Sequence, residues 1–228
     1  LDESSIELKK AVREDLSDTP FVTIDAKSTI DMDDALYASK NDQGWLLSVA
    51  IADPCALIGA DSAIEKEALQ RGTSIYFPGQ QVPMLPEKLA GDLCSLVAGK
   101  DRLAKVIKIQ VFEDGGLGEF NIVDAVIRSR QKMTYTEVSH YLLAEDNKSE
   151  DINTQVEESL KPVLSCLQSL TEALFQWRSK NLLIHAARAE FFLELDNKQK
   201  IAAIKQKTTT LAHKIVEEAM VAANRCAA

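Results

Sequence analysis

The sequence predicts an α+β fold, with a mixed or antiparallel sheet packed against helices. Three observations lead there. Short apolar runs bounded by turn residues recur through the first 130 positions, as strands do. Longer stretches with helical spacing follow, over 156–181 and 208–226. Apolar residues make up 46% of the 228 positions, enough for a substantial core.

Residues 1–20 read as a helical lead-in. Ile6, Leu8, Val12 and Leu16 recur at helical spacing across Ser4 to Leu16, and Thr19-Pro20 ends the run. The remainder, 21–228, reads as one larger domain. Phe21-Val22-Thr23-Ile24 is a predicted strand ending at Asp25. Ala35 to Ala38 and Trp45 to Ala52 are two more, joined through Asn41-Asp42-Gln43-Gly44, a hairpin turn. Asp61 to Gln70 predicts a short helix. Phe77-Pro78-Gly79 and Pro83-Met84-Leu85-Pro86 mark an irregular stretch, and a brief helix follows near Lys88 to Leu93.

Leu103 to Phe112 alternates in the manner of a half-buried strand. Gly115-Gly116 turns it onto a partner over Phe120 to Arg130. Tyr135 to Leu143 predicts a helix capped by Thr134. The polar, acidic segment Ala144 to Thr154 is expected to be a loop. Val156 to Asn181 is a long helical stretch that starts anew near Pro162. Phe191 to Leu195 and Ile201 to Ile204 form a hairpin across Asp196-Asn197, and Thr208 to Cys226 is a final amphipathic helix.

Composition narrows the functional classes. No apolar run approaches the ~18 residues of a membrane span. Leu1-Asp2-Glu3 lacks the features of a signal peptide, and the absent initial Met predicts a start inside a longer protein. Cys55, Cys94, Cys166 and Cys226 match no CxxC pair and read as reduced thiols of a cytoplasmic protein. The net charge of −9 counts against a nucleic-acid surface, which draws its phosphate contacts from Lys and Arg. Carboxylates gathered at a metal offset part of that objection.

One segment does gather them. Asp25, Asp31, Asp33 and Asp34 fall within ten residues between two predicted strands. A chain that leaves a sheet, loops and re-enters can aim all four at one point. Two carboxylates ~4 Å apart repel by about 4 kcal/mol at an effective dielectric of 20. A divalent cation reverses that sign, and Mg²⁺ favours a few carboxylates plus water and phosphate oxygens. A calcium loop counted from Asp31 fails, because its fifth, sixth and twelfth positions are Ala35, Leu36 and Asp42. The alternative is a solvated acidic loop, since Asp is common in turns.

Phe21 to Asp25 followed by Asp31-Met32-Asp33-Asp34-Ala35 resembles the signature of the ribonuclease II catalytic domain, the RNB domain. Further stretches agree in order. They are Val49 to Pro54, Tyr76-Phe77-Pro78, Pro83 to Pro86, Leu89 with Asp92 to Leu96, Asp101 to Ala104, and Val216 to Met220 with Ala223-Asn224. The resemblance runs from about Phe21 to Asn224 and is to the bacterial ribonuclease II and ribonuclease R group. It implies a processive, metal-dependent 3′-to-5′ exoribonuclease that releases 5′-nucleoside monophosphates from single-stranded RNA. It implies one or two Mg²⁺, with Mn²⁺ as a substitute, and oligonucleotide-binding barrels flanking the domain in a monomeric protein.

Residue by residue, the resemblance makes Asp25, Asp31 and Asp34 metal or metal-water ligands, and Asp33 the carboxylate most needed for hydrolysis. Tyr76 matches an aromatic that stacks near the RNA 3′ end; by itself it reads as a loop or core residue. Tyr135 and Glu217 match positions that contact the ribose and its 2′-hydroxyl, by which a protein tells RNA from DNA. By themselves they read as a helix start and a solvated helix face. His185 falls near a second stacking aromatic, a Phe in some members. Asp53, beside Pro54, reads as a turn cap or as a residue behind the metal, and Asp92 with Cys94 as packing.

The family pattern continues with an Arg-bearing segment that contacts phosphate, and no such segment occurs here. The domain over 21–228 is therefore expected to be truncated at its C-terminal end, with little activity alone. The alternative function is a non-catalytic RNA-binding or scaffold relative with the same fold.

Overall fold

The computed structural model describes residues 3–78, 80–147, 156–181, 191–196, 200–206 and 208–228. Helix α1 (Glu3–Lys10) and strand β1 (Glu14–Leu16) lead into β2 (Val22–Asp25), β3 (Asp34–Asn41) and β4 (Gly44–Ala52). Next come α2 (Ala63–Arg71), the small strands β5 (Ile75–Phe77) and β6 (Gln80–Val82), and a π-helical turn over Leu89–Leu93. The long strands β7 (Asp101–Phe112) and β8 (Leu117–Arg128) precede the short β9 (Gln131–Thr134). Helices α3 (Tyr135–Asn147) and α4 (Lys161–Asn181), strands β10 (Phe191–Leu195) and β11 (Ile201–Gln206), and α5 (Leu211–Ala227) complete the order.

Seven strands form one mixed sheet in the order β1-β8-β7-β4-β3-β2-β9. The β1–β8 and β2–β9 pairs are parallel, and the rest are antiparallel. The expected α+β architecture is thus present. The β3–β4 hairpin turns at Asp42-Gln43, where the Asn41 side chain accepts from the Gln43 amide at 3.0 Å. Gly44 closes it at φ 135°, a conformation that side chains rarely adopt.

The sheet is covered on both faces at its centre. One face packs Val22, Leu36, Leu47, Val49, Ile107 and Ile109 against the apolar sides of α3, α4 and α5. The other packs Phe21, Ala50, Val106 and Ile127 around Met32 and Leu96. This second layer is why β7 departs from simple alternation. Arg102, Leu103 and Ala104 are buried in succession, and one-in-two burial holds only towards Phe112.

Four local expectations change. The lead-in helix stops at Lys10 instead of Leu16, because Glu14–Leu16 joins the sheet beside Ala125–Ile127. Ile6 is buried as the periodicity required, but Val12 is 86% exposed. The irregular stretch after Ser74 contains the β5–β6 hairpin. Strand β9 was not foreseen, since its sequence Gln-Lys-Met-Thr carries one apolar residue and therefore no period. The first residues of the expected loop over Ala144 to Thr154 are helical, as α3 runs to Asn147; residues 148–155 lie outside the described residues.

Arg102 ties the layers together. It is 1% exposed, and its guanidinium donates to the carbonyls of Ser95 (3.1 Å), Asp92 (3.2 Å) and Asp101 (3.0 Å) and to Asp92 Oδ1 (3.3 Å). Replacement by an apolar residue strands the buried Ser95 carbonyl, at a cost of about 1–3 kcal/mol, and removes the donor from the part-buried acceptors of Asp92 and Asp101. Arg102→Leu is therefore expected to lower unfolding free energy by about 3 kcal/mol. Urea titration followed by fluorescence of Trp45, which is buried, measures it.

Candidate active site

The acidic segment lies where β2 and β3 part. Their antiparallel pairing is confined to Val22↔Leu36, and the chain leaves the sheet after Asp25 to return at Asp34. That register, continued, faces Asp25 towards Asp33. The loop between is held from two sides. Ser95 Oγ donates to the Ile30 carbonyl at 2.8 Å and accepts from the Met32 amide at 3.0 Å. The Leu96 amide donates to the Met32 carbonyl at 2.9 Å. On the other side, Lys132 Nζ donates to the carbonyls of Lys27 (3.3 Å) and Thr29. The Ala52 amide donates to the Asp33 carbonyl at 2.8 Å, fixing the return to the sheet.

The four carboxylates feel one another. Burial pushes Asp25 up to about 6, with Asp31 and Asp33 adding to the rise and Lys132 opposing it. Burial, then the charges of Asp25 and Asp33, push Asp34 up to about 6. Asp33 is raised by burial and by Asp31, although its side chain still opens to solvent. Among the described residues, no three His, Cys, Asp or Glu side chains form a preassembled metal-ligand group. The donor set nevertheless fits a hard divalent cation. Its donors are carboxylate oxygens brought to one loop, and Mg²⁺ uses one or two protein carboxylates and fills its shell with water.

Two hollows flank the segment. One, of about 270 Å³, is bounded by Asp31, Asp33, Tyr76 and Cys94. Tyr76 is 65% exposed, and its hydroxyl donates to Asp31 Oδ2 at 3.3 Å. The other, of about 620 Å³, is bounded by Asp25, Lys27, Lys132, Tyr135 and His213. Tyr135 stacks on His213 with ring centroids 3.9 Å apart and planes 9° apart. Burial and the charges of Asp25 and Asp34 raise the Tyr135 hydroxyl, so this ring belongs to the same electrostatic neighbourhood.

The other sequence-derived candidates divide. Glu217 lies on α5 and accepts from Arg178 at 3.0 Å; it lines neither hollow. His185 lies outside the described residues. Asp53 caps the short helical turn Pro54–Ala56, accepting from the Ala56 amide, and pairs with Arg13 at 2.6 Å. Asp92 serves Arg102. Sequence reasoning missed Ser95, Lys132 and His213. Ser95 and Lys132 act on backbone carbonyls far away in sequence and leave no local signal. His213 left one: Thr210 and His213 form a reciprocal cap at the start of α5, a Thr-x-x-His spacing.

The RNB domain family model matches residues 13–228. Exoribonuclease 2 of Aeromonas hydrophila subsp. hydrophila is 40% identical over 223 residues, which is 97% of this chain and 32% of that protein. Exoribonuclease 2 of Glaesserella parasuis serovar 5 is 42% identical, over 99% of this chain and 35% of its own. The chain thus spans about a third of the length of these relatives. Among solved structures, apo RNase R of Mycoplasma genitalium aligns with a TM-score of 0.89 and 32% identity, over 99% of this chain and 34% of that one. The same RNase R has been solved with single-stranded, ribose-methylated RNA and with double-stranded RNA. Yeast Ssd1, a pseudonuclease, aligns at 0.65 with 19% identity, over 96% of this chain and 25% of its own, and shares the fold alone.

The raised carboxylates carry a stability cost with a definite sign. A folded Asp34 that titrates near 6 binds its proton more tightly than an unfolded one, so its contribution is fully present below about pH 3.8 and is lost as pH rises through 6. Asp34→Asn should therefore stabilise the metal-free chain by about 2 kcal/mol at pH 7.5 and by little at pH 4. Thermal melts in EDTA at the two pH values test it; an equal effect at both contradicts the titration.

Proposed function

Because this chain belongs to the RNB domain family, we propose that it carries the carboxylate site of a 3′-to-5′ exoribonuclease that hydrolyses single-stranded RNA processively to 5′-nucleoside monophosphates. One observation supports the reading: Asp25, Asp31, Asp33 and Asp34 share one loop at the end of β2, where burial and the charges of their neighbours raise Asp25, Asp33 and Asp34. The fold does not decide by itself, since a pseudonuclease shares it.

In this reading Asp25, Asp31 and Asp34 hold one or two Mg²⁺, with Mn²⁺ as a substitute. Bound there, a cation would supply an acidified water and positive charge for the phosphate. Asp33, with a raised proton affinity and an open side chain, accepts the proton of the attacking water at its carboxylate. Tyr76 presents a free ring face at the rim, on which a terminal base gains ~1–3 kcal/mol by stacking without regard to sequence. Tyr135, fixed by its stack on His213, meets the ribose from the second hollow. Glu217, engaged by Arg178 and lining neither hollow, takes no part in the ribose contact in this reading.

The net charge of −9 leaves RNA capture to flanking oligonucleotide-binding barrels of a full-length protein. Four free cysteines accord with a reducing cytoplasm, and we take the protein to act as a monomer.

Asp33→Asn in the intact protein is expected to lower hydrolysis of a labelled oligoadenylate by at least about 100-fold while RNA affinity is kept. Single-turnover gels and fluorescence anisotropy measure the two. Normal turnover by the variant removes Asp33 from the reaction. An intact wild-type protein that binds RNA without cutting it turns the reading to a non-catalytic relative.

A further inference from the structure

Lys132 stands on β9 beside the aspartates, yet among the described residues it makes no ion pair with any of them. Parallel pairing sets Lys132 opposite Thr23, and Thr134 opposite Asp25. Alternation then places Thr23, Asp25, Lys132 and Thr134 on one face of the sheet, while Met133 enters the core. From that face the Lys132 ammonium reaches across the start of the loop. It donates to the carbonyls of Lys27 and Thr29, which lie either side of Ser28. The Thr29 amide closes the same turn onto the Ala26 carbonyl at 3.1 Å.

We propose that Lys132 is a positioning residue for the carboxylate site, clamping the first half of the Asp25–Asp34 loop so that its side chains stay convergent and free to receive a divalent cation. The proposal rests on the metal-dependent reading above and deepens it. The geometry separates two jobs that a lysine at an acidic site can do. A lysine that paired with a carboxylate would occupy the oxygen a cation needs. Lys132 instead spends its donors on backbone carbonyls and leaves every aspartate oxygen unclaimed by it. Its charge still lies within reach of Asp25, with which it lines the 620 Å³ hollow. The second half of the loop has a neutral counterpart in Ser95, which holds Ile30 and Met32. Clamps at both halves are needed because the loop carries like charges that push it open.

The test compares wild type, Lys132→Met and Lys132→Arg. Mn²⁺ titration of the chain by electron paramagnetic resonance reads the site directly, and hydrogen exchange reads the loop. Lys132→Met is expected to weaken Mn²⁺ binding by about tenfold or more, the usual effect of losing a group that orients metal ligands. Exchange at the amides of 27–33 should quicken in that variant even without metal, while the core strands keep their protection. Lys132→Arg retains a long cationic donor and should recover most of both. In the intact protein, Lys132→Met should lower kcat at fixed Mn²⁺ and leave KM for RNA unchanged. If Lys132→Met binds Mn²⁺ as wild type does, or changes only KM, the clamp is wrong and Lys132 is a phosphate contact. If wild type itself binds no Mn²⁺, the metal reading falls and takes this inference with it.

Discussion

Carboxylates crowded at one strand end repel one another, and the surroundings of the Asp25–Asp34 segment work against that repulsion. Two of the four are pushed up to about 6 by burial and by their neighbours. Near neutral pH they are still mostly ionised, so the fold holds charge together at a cost to its own stability. Strain of this kind persists only where the framework over-determines the local shape.

That framework is a relay of polar contacts through the second layer of the sheet. Buried Arg102 fixes the carbonyls around Asp92 and Ser95. Ser95, so fixed, grips Ile30 and Met32, and Met32 packs among Phe21, Ala50 and Leu96. Met32 thus anchors the middle of the acidic loop in the core while Asp31 and Asp33, on either side of it, face the cleft. An apolar residue between two acids is what allows a charged loop to be rooted.

The segment also divides the space around it. Asp31 and Asp33 open towards Tyr76, and Asp25 opens towards Tyr135 and His213. One polymeric substrate that crosses the acidic ridge would meet an aromatic ring on each side. Both rings are backed by other groups, Tyr76 by its hydrogen bond to Asp31 and Tyr135 by its stack. In the proposed function, such rings would take base and sugar faces without a sequence code.

Much of this was legible from residues alone. The acidic run between two apolar strands marked the candidate site, and turn residues such as Asn41 to Gly44 set the hairpin beside it. Local periodicity carries such information because helix and strand repeats are short-range properties. What lay between distant segments was not legible. Glu14–Leu16 became a strand because Ala125–Ile127 offered an edge, and β9 formed from nearly polar residues because β2 needed a parallel partner. Glu217 was turned to Arg178, Tyr135 was paired with His213, and Lys132 was drawn to the loop's carbonyls. Residue type and spacing determined which candidate groups the chain carries and on which elements they lie. Tertiary packing alone decided which of them meet, because a hydrogen bond or a ring stack between residues far apart in sequence leaves no period to read.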